Sequence, residues 1–108
     1  MDAGLVLFLL LSGHFVADYT LQSDFMAANK KKDGPNIVPW YYVLLAHSAT
    51  HGFIVAIVTQ IWWLGLAETL LHAFCDDCKS NKILTHHQDQ AFHILCKFVW
   101  FMIFLTIS

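Results

Sequence analysis

The chain has 108 residues, which is one domain by length. Hydrophobic residues make up 57% of it and charged residues 13%, against about 25% charged in soluble domains, and a soluble chain this short cannot bury so much apolar surface. A membrane is therefore the expected solvent, a formal net charge of -2 gives no basis for a nucleic-acid partner, and three cysteines, an odd number, do not make a disulfide framework.

The first apolar segment is expected over about 3–29. It lacks a basic leader, since Asp2 is acidic, and no small-residue cleavage site follows, so it reads as a retained helix and not a signal peptide. His14, Asp18 and Gln22 follow one another at i, i+4 and i+8, a single polar stripe on a helix. Lys30, Lys31, Lys32, Asp33, Gly34 and Pro35 end it. A second segment, about 39–61, opens on Pro39, which suits a first helical turn, and on Trp40, Tyr41 and Tyr42, which suit a membrane interface. It is long enough to span a bilayer core and carries His47 and His51. Trp62, Trp63, Leu64 and Gly65 read as a tight interfacial turn. The third segment, about 66–79, is short for a span and carries His72 and Asp76. A polar link with His86 and His87, expected to be solvated, leads to the fourth segment, about 89–107, which carries Asp89 and His93. The expected architecture is all-α: a four-helix transmembrane bundle, one integral membrane domain over 1–108, with a buried polar, metal-binding core.

Each segment thus carries one pair of ionisable groups spaced i, i+4, which places both on one helix face. Lys30, Lys31, Lys32, Lys79 and Lys82 fall in or beside the first and third links, so the positive-inside rule puts those links in the cytoplasm and both termini outside. At about 1.5 Å per residue, all four pairs then fall in the cytoplasmic half of the bilayer. Ionisable groups inside membrane spans face a bundle interior or a water-filled cavity. Imidazole with carboxylate is the usual ligand set for catalytic zinc and also suits iron or manganese. His14, Asp18, His47, His51, His72, Asp76, Asp89 and His93 are the candidate ligands, enough for one to three divalent ions. Asp76, Gln22 and Lys79 are the candidate catalytic residues, Gln22 and Lys79 as groups that orient substrate or the ligands. Asp77 points about 100° away from Asp76 on a helix. Cys75 and Cys78 match a redox or zinc spacing, but no second pair accompanies them, so they read as packing residues.

The opening run has the pattern His-x-x-x-Asp-x-x-x-Gln-x-Asp, carried by His14, Asp18, Gln22 and Asp24. With His47 and His51, then His72, Asp76 and Lys79, then Asp89, Gln90 and His93, it resembles a bacterial and phage membrane family known as domain of unknown function 3307, over nearly the whole chain. The His-x-x-x-Asp spacing at His14/Asp18 and His72/Asp76 is also distantly similar to membrane-bound metal-dependent hydrolases and to the zinc-dependent phospholipase C and single-strand nuclease superfamily, whose helical bundles hold clustered zinc ions. What these resemblances imply is a metal-dependent hydrolase of the bacterial inner membrane, acting on a phosphoester, plausibly lipid-linked. Two other classes fit the residues: a small proton- or cation-coupled transporter, and a non-enzymatic phage immunity or exclusion protein with a structural metal. The expected partners are the lipid bilayer and a lipid or phosphoester substrate, with no nucleic acid; the sequence leaves the oligomeric state open.

Overall fold

The computed structural model describes residues 2–35 and 37–107. Helix α1 (Ala3–Phe15) begins where the Asp2 carboxylate accepts a hydrogen bond from the Leu5 amide at 3.0 Å, an N-cap. It runs directly into a π-helical turn, Val16–Thr20, that contains Asp18. Ser23 then caps α2 (Asp24–Asn29), its hydroxyl accepting from the Met26 amide at 3.1 Å. Helix α3 (Trp40–Thr59) follows Pro39 and stops at Gln60, whose φ of 59° is left-handed. Helix α4 (Trp62–Ser80) starts two residues later. Helix α5 (His86–Ile107) is opened by a reciprocal pair, the Thr85 hydroxyl accepting from the Gln88 amide at 3.1 Å and the Gln88 side chain accepting from the Thr85 amide at 3.0 Å. No strand occurs among the described residues.

The all-helical expectation holds, but the expected four segments are five α-helices and a π-turn. Segment one is not continuous to residue 29. The π-turn ends it and Ser23 nucleates α2 separately. The turn between the second and third segments is Gln60–Ile61, not Trp62–Gly65, because the left-handed Gln60 already stops α3; Trp62 to Gly65 form the first turn of α4. Helix α5 likewise starts at the Thr85 cap, three residues earlier than expected, and takes in His86 and His87. Three helical stretches, Ala3–Thr20, Trp40–Thr59 and His86–Ile107, are long and apolar enough to cross a membrane.

The four long helices form a ring: α3 lies along α4, α4 meets α5, α5 meets α1, and α1 returns to α3. The bundle is 43 Å long, against a hydrocarbon core of about 30 Å. Its burial pattern is inverted relative to a water-soluble domain. His14, Asp18, Lys30, His47, His51, Glu68, His72, Asp76, Asp89, His93 and Lys97 are all buried, while Phe8, Phe53, Trp62, Leu70, Phe74, Leu95 and Met102 are each more than half exposed. Helix α4 shows the inversion most clearly, with Glu68, His72 and Asp76 turned inward and Trp62, Leu66, Leu70 and Phe74 outward. The interior is divided lengthwise. Val6, Leu10, Val55, Val58, Leu64, Cys96 and Trp100 form an apolar core at one end, and the ionisable groups fill the other.

Two glycines set how closely α3 and α4 approach. A Cβ on Gly52 would meet the Thr69 hydroxyl at 1.9 Å and the Gly65 carbonyl oxygen at 2.5 Å; one on Gly65 would meet the Gly52 carbonyl oxygen at 2.6 Å and the Ala56 Cβ at 2.7 Å. Small residues four apart allow this backbone contact. Gly52→Ala should therefore lower stability by about 1–3 kcal/mol, the usual cost of overpacking. Thermal melting in detergent checks it, with Gly4→Ala as the comparison, since a Cβ there meets only the Asp2 carboxylate, at 3.2 Å.

Candidate metal centre

The polar end of the bundle is assembled from all four long helices and the π-turn. His14 is the last inward residue of α1, and Asp18 sits in the π-turn. His47 and His51 come from the middle of α3, His72 and Asp76 from the second half of α4, and Asp89 and His93 from the first turns of α5. All eight residues expected from the sequence are buried.

Asp18 is the centre of the group. Its Oδ1 lies 3.3 Å from His47 Nε2, 3.4 Å from His51 Nε2 and 3.8 Å from His72 Nε2. Its Oδ2 accepts a hydrogen bond from Gln90 Nε2 at 2.7 Å, and Gln90 in turn accepts from His14 Nε2 at 3.0 Å. His47 donates to Asp18, but Nε2 of His51 and Nε2 of His72 have no hydrogen-bond partner although both are buried. The imidazoles of His51, His72 and His93 stack in a row, with ring centroids 3.7 and 4.1 Å apart.

Unpartnered buried polar atoms are rare and need a physical reason. One atom from each of Asp18, His47, His51 and His72 can be chosen so that all lie within 4.8 Å of one another; the same is true of Glu68, His72 and His93. Ligand atoms of a tetrahedral zinc, bound at about 2.0–2.2 Å, lie about 3.3–3.6 Å apart, close to the 3.3 and 3.4 Å separations at Asp18 Oδ1. These buried groups could hold a metal ion, and three imidazoles with one carboxylate are a donor set that zinc accepts.

The other carboxylates are matched to lysines. Lys30 Nζ donates to Asp76 Oδ2 at 2.7 Å and also to the Gln22 side-chain oxygen. Lys79 Nζ lies between Asp76 and Asp89, 3.8 and 3.7 Å away. Asp89 also pairs with His93 Nε2 at 3.0 Å. Lys97 donates to Glu68. Asp18 has no lysine in ion-pair range among the described residues; its neighbours are imidazoles and an amide.

Some of this differs from the sequence reading. Lys30 is not a solvated member of the lysine run but is buried at 3% exposure, because α2 folds it back over Asp76. Gln22 reaches the site through Lys30 and the Asp18 carbonyl. Asp77 faces Lys32 at the edge, 3.8 Å away. His86 is exposed, as expected, but Tyr19 hydrogen-bonds it at 3.0 Å. The cysteines are free, with Cys75 and Cys96 buried. Glu68 and Lys97 are absent from the expected site, and Gln90 enters it only as part of the family pattern. The signal for the first two was present, since Glu68 lies four residues before His72 and Lys97 four after His93, extending both stripes by one turn.

A small helical bundle with apolar flanks and a buried histidine–carboxylate cluster defines a membrane-type protein with a metal-capable core. The chain belongs to the family described as protein of unknown function (DUF3307), whose model matches residues 6–108. No curated protein and no solved structure matches it, so the resemblance to hydrolase superfamilies finds no support there.

Removing one partner of a buried ion pair strands the other, at about 3–5 kcal/mol. Lys30→Met should lower stability by that order, and Lys30→Met with Asp76→Asn should recover most of it. A double-mutant cycle of detergent melting curves measures the coupling.

Proposed function

We propose that the protein is a membrane-embedded, metal-dependent hydrolase acting on a phosphoester, lipid-linked, at the cytoplasmic leaflet of a bacterial inner membrane. One observation carries the reading: a buried carboxylate, Asp18, faces Nε2 of three histidines, and two of those nitrogens have no other partner. Asp18, His47, His51 and His72 would hold the first ion, zinc before iron or manganese. His93, with His14 and Asp89 beside it, and Asp76 would supply ligands for a second or third. When bound, such an ion polarises a phosphoryl oxygen and activates water at neutral pH.

The residues around the cluster have separate tasks. Gln90 fixes the second oxygen of Asp18 and keeps Oδ1 turned to the imidazoles. Lys79, whose side chain is 26% exposed, is placed to meet an anionic headgroup, and Asp76 is within its reach. Gln22 holds Lys30 against Asp76 and so closes the site from the α2 side. The bundle geometry favours this over a proton- or cation-coupled transporter, because such a path must cross the whole bundle, and Val6, Leu10, Val55 and Leu64 pack the other half with apolar side chains.

Protein purified without a histidine-rich tag should carry about one to three transition-metal ions per chain and should release product from a chromogenic phosphodiester in lipid nanodiscs, with turnover lost in Asp18→Asn. Elemental analysis and the absorbance assay check both. Less than about 0.2 ion per chain, with melting unchanged by chelation, would remove the metal. A metal-loaded chain without turnover would leave the structural-metal immunity or exclusion protein.

Lys31, Lys32 and Lys82 are exposed at the polar end of the bundle, which supports placing that end in the cytoplasm and both termini outside. A cysteine substituted at Lys31 should be labelled by an impermeant reagent only from the cytoplasmic side of inside-out vesicles; labelling from the other side reverses the topology.

A further inference from the structure

We propose that Glu68 is the positioning residue for His72: its carboxylate is the acceptor for an Nδ1–H donor, so that Nε2 is the atom presented to Asp18. The inference rests on the metal reading above and deepens it. Glu68 is 1% exposed, one helical turn before His72 on α4, and its Oε1 lies 3.7 Å from His72 Nδ1. That is longer than a hydrogen bond, but Oε1 is the carboxylate oxygen that faces this nitrogen. Both nitrogens of His72 are buried without a hydrogen-bond partner. A neutral imidazole has one N–H and one lone pair, so a carboxylate on the Nδ1 side and a ligand cluster on the Nε2 side divide the two.

Glu68 is itself held from α5. Lys97 donates to Oε1 and the Trp100 indole donates to Oε2 at 3.0 Å. Both carboxylate oxygens thereby accept from donors on α5, which anchors Glu68 as an acceptor for an imidazole. The ring it would orient is already fixed in plane, stacked between His51 and His93. Carboxylates that accept from the far nitrogen of a ligating histidine fix its tautomer and raise its basicity. The Glu68–Lys97–Trp100 triad, between the apolar core and the cluster, therefore links α5 to His72.

A merely structural role for Glu68, neutralising Lys97, is separable from positioning. Glu68→Leu with Lys97→Leu removes both charges together, a change that is often neutral for stability. This double variant should melt near the wild type in detergent but bind Zn²⁺ about 10–100-fold more weakly, read by competition with a chromophoric chelator. Glu68→Gln with Lys97→Leu keeps an acceptor for Nδ1 and should recover part of the affinity. A Glu68→Leu, Lys97→Leu chain that binds Zn²⁺ as tightly as the wild type overturns the inference while leaving the metal reading intact. A wild type that binds no Zn²⁺ overturns both. Nitrogen-15 NMR of metal-free wild type needs no variant: His72 should be the Nδ1–H tautomer, and the Nε2–H tautomer there overturns the inference even if the variants fail to fold.

Discussion

The buried charge of Asp18 is the constraint on which the rest of the bundle depends. A carboxylate withdrawn from water costs several kcal/mol even after relaxation, and that cost must be met by opposite charge or by donated hydrogen bonds. Here the opposing groups are imidazoles from α3 and α4 and the Gln90 amide from α5. His14 from α1 stands behind Gln90. Every long helix thus places a group beside one carboxylate or the amide that holds it.

Two backbone features let those groups meet. The π-turn at Val16–Thr20 departs from α-helical geometry where Asp18 is needed; π-turns inside helices are often found at functional sites. The contact of Gly52 with Gly65 and Thr69 brings α3 and α4 close enough for His51 and His72 to stack at 3.7 Å. A larger side chain at either glycine would separate the two donors of unpartnered nitrogen.

The remaining carboxylates are neutralised in a graded way. Glu68, deepest toward the apolar core, has the buried Lys97 and the Trp100 indole. Asp76 has Lys30, and Asp89 has His93 and the partly exposed Lys79. Among the described residues, only Asp18 of these buried carboxylates is left without a lysine in ion-pair range; its neighbours are imidazoles and an amide. Outside this interior, the bundle presents aromatic and aliphatic side chains to its surroundings, as helices in lipid require when polar groups turn inward.

The sequence by itself determined the helical class and that the eight residues of the four i, i+4 pairs turn inward; it did not determine the number of helices. Pairs such as His14/Asp18 and His72/Asp76 lie four apart, and helical periodicity is local, so their shared face is legible without knowing any neighbour. The same periodicity extends to Glu68 and Lys97, one turn beyond His72 and His93. Only the tertiary structure decided which groups meet. That Asp18 faces His47, His51 and His72 while Asp76 takes Lys30 depends on helix spacing, on the fold-back of α2 and on the offset of the π-turn. Those are distances between segments, set by glycine contacts and side-chain volumes far apart in the chain, and no spacing within one helix encodes them. Gly65 shows the difference: in the sequence it reads as a turn residue after two tryptophans, and in the bundle it is the point where α4 touches α3.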